Sequence, residues 1–301
     1  MKKITILLIA ILVLSGCTYN EKDDKINVVT TLFPIYDFVR QIAKDRVNVT
    51  LLLPPGIDAH TYEPTPKDIA KISNSNLFIN TNESMEPWVK TITNSLPNLN
   101  VLDVSLSIDL HEDHDHEKDH HHDIDPHIWT DPNNVKIMVE NILYSLCEID
   151  DSNCSYYIKN ADNYKAKLDD LIIQLDDISK DYDGEKIVFS GKFAFHYMFE
   201  RYGLEKYSVY EGCSTEGDIS PKVIVELIEY IKTNDIKIVF YEELSNSNIR
   251  NTILDNTNAK LLLLHSMQNI SKEEMSNDVT YLSLMKQNIQ NLREALKHGD
   301  N

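Results

Sequence analysis

The chain has 301 residues, 42% of them hydrophobic and 26% charged, with only eight glycines and ten prolines. Those proportions belong to a folded globular protein and argue against disorder along the whole length. A formal charge of −19 argues against a nucleic-acid partner, because an acidic surface repels phosphate backbones and suits a cationic ligand.

The opening residues read as an export signal. Lys2 and Lys3 precede an eleven-residue apolar run at 4–14. As a helix that run spans roughly 16 Å, short of the roughly 30 Å of a bilayer core, so it is a secretory signal and not a membrane span. Leu14-Ser-Gly-Cys17 resembles the bacterial lipobox, in which the cysteine thiol is acylated and the peptide is cut before it. The expected order is a signal peptide at 1–16, a lipid-anchored tether at 17–25 and a folded body from residue 26. Such a protein sits on the outer face of the cytoplasmic membrane. Beyond Cys17 only Cys147, Cys154 and Cys213 remain, an odd number without a Cys-x-x-Cys pair. Cys147 and Cys154 allow two readings, a bridge or packed thiols.

In chain order, short apolar runs at 26–31, 47–54, 77–80 and 101–104 predict strands, with helical patterns after Pro34 and from Pro66. Tyr157, Ala161, Tyr164, Leu168, Leu171, Leu175 and Ile178 then recur at alternating spacings of four and three. That is one helical stripe of about six turns. Strands follow at 186–190, 207–210, 236–241 and 260–264, with helices at 193–202, 221–233, 247–256 and 279–297. Strand and helix alternation implies parallel sheets covered on both faces. The predicted fold is α/β, with two lobes that are each a mostly parallel sheet flanked by helices. One long rigid linking helix (151–183) joins an N-terminal lobe at 26–150 to a C-terminal lobe at 184–301.

The eleven histidines carry most of the functional information. Six lie in one acidic segment: His111, His114, His116, His120, His121 and His122. His60, His127, His196 and His265 are isolated, while His298 sits at the end of the chain. At least three of these four follow predicted strand ends, where open α/β sheets collect their ligands. Two come from each lobe, so bringing the lobes together would assemble four imidazoles, a donor set suited to zinc. Neighbouring carboxylates would balance the charge and fix the tautomers: Asp58, Glu63, Asp125, Asp131 and Glu242.

The strings PPGIDAHTYEPTP at 54–66 and DPHIWTDP at 125–132 resemble the zinc/manganese solute-binding proteins of ABC importers, the cluster A-I family. The lipobox, the histidine-rich insert, the linking helix and the tail TYLSLMKQNIQNLREAL fit the same resemblance. It implies that His60 and His127 are first-lobe metal ligands, that Trp129 is structural, and that an importer permease is the partner. A monomer without enzymatic activity is expected. In the second lobe the chain departs from the family pattern. Lys192 stands where the family commonly has histidine, and His196 stands four residues on, one helical turn away. His265 occupies the place of the usual Asp or Glu. Four imidazoles favour Zn²⁺, with Mn²⁺ as the alternative. The insert is read either as an auxiliary metal-capturing loop or as a solvated acidic segment. The rival readings are a zinc hydrolase with Glu242 as base, and a metal-buffering or adhesin lipoprotein.

Overall fold

The computed structural model describes residues 25–111, 124–208, 220–243 and 245–297. The signal peptide, the tether with Cys17, the insert from 112 onward and Cys213 lie outside the described residues. The first lobe runs β1 (Ile26–Thr30), α1 (Phe33–Ala43), β2 (Val47–Leu51), α2 (Pro66–Ser73), β3 (Leu77–Asn80), α3 (Trp88–Asn94) and β4 (Val101–Asp103). All of its strand pairs are parallel, in the order β2-β1-β3-β4. Next come α4 (Pro132–Ile149) and α5 (Cys154–Asp181). The second lobe follows as β5 (Ile187–Phe189), α6 (His196–Tyr202), β6 (Lys206–Ser208), α7 (Pro221–Thr233), β7 (Ile238–Tyr241), α8 (Ser247–Asn256) and β8 (Lys260–Leu263). Two further helices, α9 (Lys272–Ser276) and α10 (Tyr281–Lys297), complete it. Its sheet is also parallel, in the order β6-β5-β7-β8, so the lobes share one topology although no sequence repeat relates them.

Local chemistry explains the helix starts. Thr65 caps α2 through a reciprocal box with Asp68, and Pro66 takes the first turn, where its missing N–H costs nothing. Asp131 accepts from the Asn133 N–H at the start of α4, again with proline next in line. The sequence reading left α3 and α4 unassigned, although Val135, Met138, Val139, Ile142 and Leu146 of α4 keep a helical spacing and are buried.

At 28 residues, α5 is about 42 Å long. Its buried residues are the predicted stripe, from Tyr157 to Ile178. They belong to one continuous core that also holds Val28 and Phe38 of the first lobe and Phe189 and Phe240 of the second. Smaller clusters cover the other sheet faces, around Phe78 in one lobe and Val239 in the other. Among the described residues no helix is long and apolar enough to cross a membrane.

Cys147 and Cys154 form a disulfide that ties the end of α4 to the start of α5. The intervening turn is tightened by Asp150, which accepts from Tyr157 Oη at 2.5 Å and from Asn153 Nδ2 at 2.8 Å. Closing so short a loop restricts the unfolded chain by about 2 kcal/mol. The double variant Cys147→Ser/Cys154→Ser should lose about that much stability in urea denaturation.

Candidate metal centre

In both sheets the strand order reverses beside the first strand, between β1 and β3 and between β5 and β7. Crevices beyond the carboxyl ends of the strands at such a reversal are where open sheets bind ligands. Here those ends lead into Thr31, Thr81 and Asn82 in one lobe, and into Lys192 and Glu242 in the other. Glu86, which sequence reasoning missed, holds the first crevice together. Its buried carboxylate accepts from Thr31 Oγ1 at 2.6 Å, Thr81 Oγ1 at 3.0 Å and the Asn82 N–H at 3.2 Å. Burial pushes its pKa up to about 7. Asn82 in turn donates to Pro126 O at 3.4 Å, next to His127.

His60 sits on a short 3-10 turn (Ala59–Thr61) whose cap is Asp58, with Asp58 Oδ1 accepting the His60 N–H at 3.0 Å. His127 is 1% exposed and immobilised from behind. Its Nδ1 lies 2.7 Å from Asp125 Oδ1, and the same oxygen accepts its backbone N–H at 2.9 Å. The carboxylate claims the Nδ1 proton and leaves the lone pair of neutral His127 on Nε2. That Nε2 faces His60 Nε2 at 3.2 Å. Two nitrogens bound tetrahedrally to one zinc ion at 2.0–2.1 Å are about 3.3 Å apart, so the pair already spans one edge of a zinc tetrahedron. Burial first, then the charge of His127, lowers the His60 pKa to about 4. His60 therefore presents a neutral imidazole at neutral pH.

The second lobe contributes charge. Glu242 accepts the Ala194 N–H at 3.0 Å, and burial together with neighbouring Glu243 pushes its pKa up to about 8. Lys192 Nζ lies 3.7 Å from Asp58 Oδ2 across the cleft. Of the other expected carboxylates, Asp131 is taken by the cap of α4 and by Arg201, and Glu63 is exposed with no contact to the pair.

Among the described residues no group of three or more His, Cys, Asp or Glu side chains is arranged to hold a metal ion. His196 begins α6, so Lys192 precedes the helix and the two do not share a helical face. The reason is local: Phe193 and Phe195 pack against Phe189 and hold the chain non-helical up to that point. His196 Nε2 lies 3.3 Å from Lys206 Nζ. His265 is 1% exposed, with Nδ1 hydrogen-bonded and Nε2 buried without a hydrogen-bond partner among the described residues. Its Nδ1 accepts the Met267 N–H at 2.9 Å, and its Nε2 is 3.3 Å from Glu274 Oε1. His111 stacks on Tyr197 with Nδ1 2.8 Å from Glu200, and its carbonyl accepts the Asp125 N–H at 3.1 Å. It is the root of the insert. The other five insert histidines lie outside the described residues, as does a His-Glu-x-x-His spelling at 116–120.

Two parallel-sheet lobes on a rigid helix, with paired imidazoles at the cleft, define the class of two-lobed metal-binding solute carriers. The chain belongs to the ZnuA family, described as zinc-uptake complex component A, periplasmic, whose profile matches residues 28–295. That is a family of zinc-uptake components and not of enzymes. The chain is 36% identical over 287 residues to the high-affinity zinc uptake system protein ZnuA of Bacillus subtilis (strain 168), covering 92% of this chain and 89% of that one. It is 32% identical to the zinc-binding lipoprotein AdcA of Streptococcus pneumoniae (strain R6), covering 98% of this chain but 61% of that longer protein. Among solved structures, the metal-dependent lipoprotein YcdH of Bacillus subtilis matches with a TM-score of 0.78 at 33% identity, over 90% of this chain and 99% of the other. The Zn(II)-bound ZnuA-like domain of Streptococcus pneumoniae AdcA gives a TM-score of 0.79 at 29% identity, also over 90% and 99%.

The lowered pKa of His60 has a direct readout. In metal-free protein its imidazole should stay neutral as pH falls through the ordinary value of about 6.5, and take its proton only towards about 4. The unfolded chain protonates first, so this residue costs stability as pH drops between those two values. Carbon-13 shifts of the assigned His60 ring across a pH titration would show it, and a midpoint near about 6.5 would contradict it.

Proposed function

We propose that this chain captures Zn²⁺ at His60 and His127 and delivers it to the permease of an ABC importer. The observation that carries the reading is the 3.2 Å Nε2–Nε2 separation, with Asp125 holding His127 in the tautomer a metal needs. His196 is the third ligand of this reading, reached by turning its ring from Lys206 towards Asp125. His265 is given a lesser part in this reading, because its Nδ1 is taken by the Met267 N–H and its Nε2 faces Glu274 Oε1 at 3.3 Å. Imidazole donors suit zinc better than manganese, which prefers oxygen ligands. The zinc names of the relatives at 36% and 32% identity agree with that preference.

The protein works outside the cytoplasm as a monomer, held to the membrane through acylated Cys17. Its domains follow the division at 26–150, 151–183 and 184–301. The insert histidines His114, His116, His120, His121 and His122 gather metal weakly beside the site, since the insert is rooted on Asp125.

Competition titration with a chromogenic zinc chelator tests the assignment. His60→Ala and His127→Ala should each weaken binding at least about 100-fold, and Asp125→Asn about tenfold or more, the range for outer groups that orient a ligand. His196→Ala should cost about tenfold, and His265→Ala less than about threefold. Deleting 112–122 should leave the tight site in place. Full affinity in the His127→Ala variant would sink the reading.

A further inference from the structure

Lys192 stands at this cleft three residues beyond the end of the central strand β5, at the reversal of the second sheet, and its side chain is 31% exposed. Its ammonium lies 3.7 Å from Asp58 Oδ2, while Asp58 Oδ1 caps the turn that carries His60. Gln268 Nε2 approaches the same Oδ1 at 3.5 Å, so Asp58 is approached from the second lobe by an amide and a cation. As a half-exposed ion pair the contact adds little to stability. Its importance lies in where the positive charge stands.

A divalent ion arriving at His60 and His127 would meet a cation already on Asp58, the carboxylate that caps the turn carrying His60. Repulsion between a unit charge and a divalent ion over a few ångströms is only partly screened in a half-buried cleft.

We infer that Lys192 is an affinity-setting residue, a tethered cation that occupies Asp58 in the empty cleft and competes with the incoming metal. The inference rests on the reading of His60 and His127 as zinc ligands. A carrier must surrender its cargo as well as capture it, and a competing charge on the protein itself favours release. When metal enters, the ammonium moves outward towards solvent, a short excursion for a flexible four-carbon side chain.

The test compares Lys192→Met, which keeps the length and loses the charge, with Lys192→Arg, which keeps the charge. Zinc affinity is measured by chelator competition at two ionic strengths, with circular dichroism to confirm that each variant is folded. Lys192→Met should bind zinc about tenfold more tightly than the unaltered chain, and Lys192→Arg within about twofold of it. The gain should shrink at high salt. Equal or weaker binding by Lys192→Met would overturn the inference, and so would an equal gain in Lys192→Arg, which would make the effect steric. His60→Ala run alongside separates the two levels. If it loses affinity while Lys192→Met gains none, this inference alone fails. If it binds zinc as well as the unaltered chain, the site assignment fails and this inference with it.

Discussion

Tyr157, Ala161, Tyr164, Leu168, Leu171, Leu175 and Ile178 form a stripe along α5 that neither lobe covers alone. Each of its leucines is worth about 1.5–3 kcal/mol when removed from water. Any motion that peeled one lobe from this rod would expose several of them together. Bonds across the cleft add to the constraint. Trp129 Nε1 donates to Ser266 O at 2.8 Å, Asn269 Nδ2 to Pro54 O at 2.7 Å, and the Tyr281 N–H to Asp37 Oδ2 at 2.9 Å. Wide hinge opening is therefore costly, and loading the site is left to side chains and short loops.

The two imidazoles are held with unequal firmness. His127 is fixed at its backbone and its ring by one buried carboxylate, whereas His60 rides on a single short turn anchored by Asp58. One member of the pair is thus preformed and the other is held by a single turn, which in the proposed site would let an ion enter and leave. The carboxyl of Glu242 suits it as well. Held neutral by burial, it carries no charge into the empty cleft, yet a cation beside it favours ionisation. Charge compensation is available when needed without a permanent buried anion.

Much of this was legible in the sequence, for identifiable reasons. The stripe of α5 has a period that only a helix produces, and the apolar runs between turn residues marked all eight strands to within a few residues. Asp125 and His127 stand two apart in a short Pro-containing string, so their pairing was local enough to anticipate. The second lobe was harder to read. Whether Lys192 and His196 share a face depends on where α6 begins, and packing of Phe193 and Phe195 against Phe189 decides that. His265 stands after β8, where the sequence suggested a ligand, but its surroundings could not be read there. Its real partners, Met267, Glu243 and Glu274, come from a turn and from elements that only the folded chain brings near. Glu86 left no sequence signal, because its partners Thr31 and Thr81 come from the ends of two different strands.

The hydrogen bond from the Asp125 N–H to the His111 carbonyl means that the insert leaves and re-enters the fold at one point. Closure entropy between two such anchors grows slowly, by about 0.6 kcal/mol for each doubling of the chain that joins them. The positions of Asp125 and His127 are therefore set by their bonds in the cleft and not by the length of chain between the anchors.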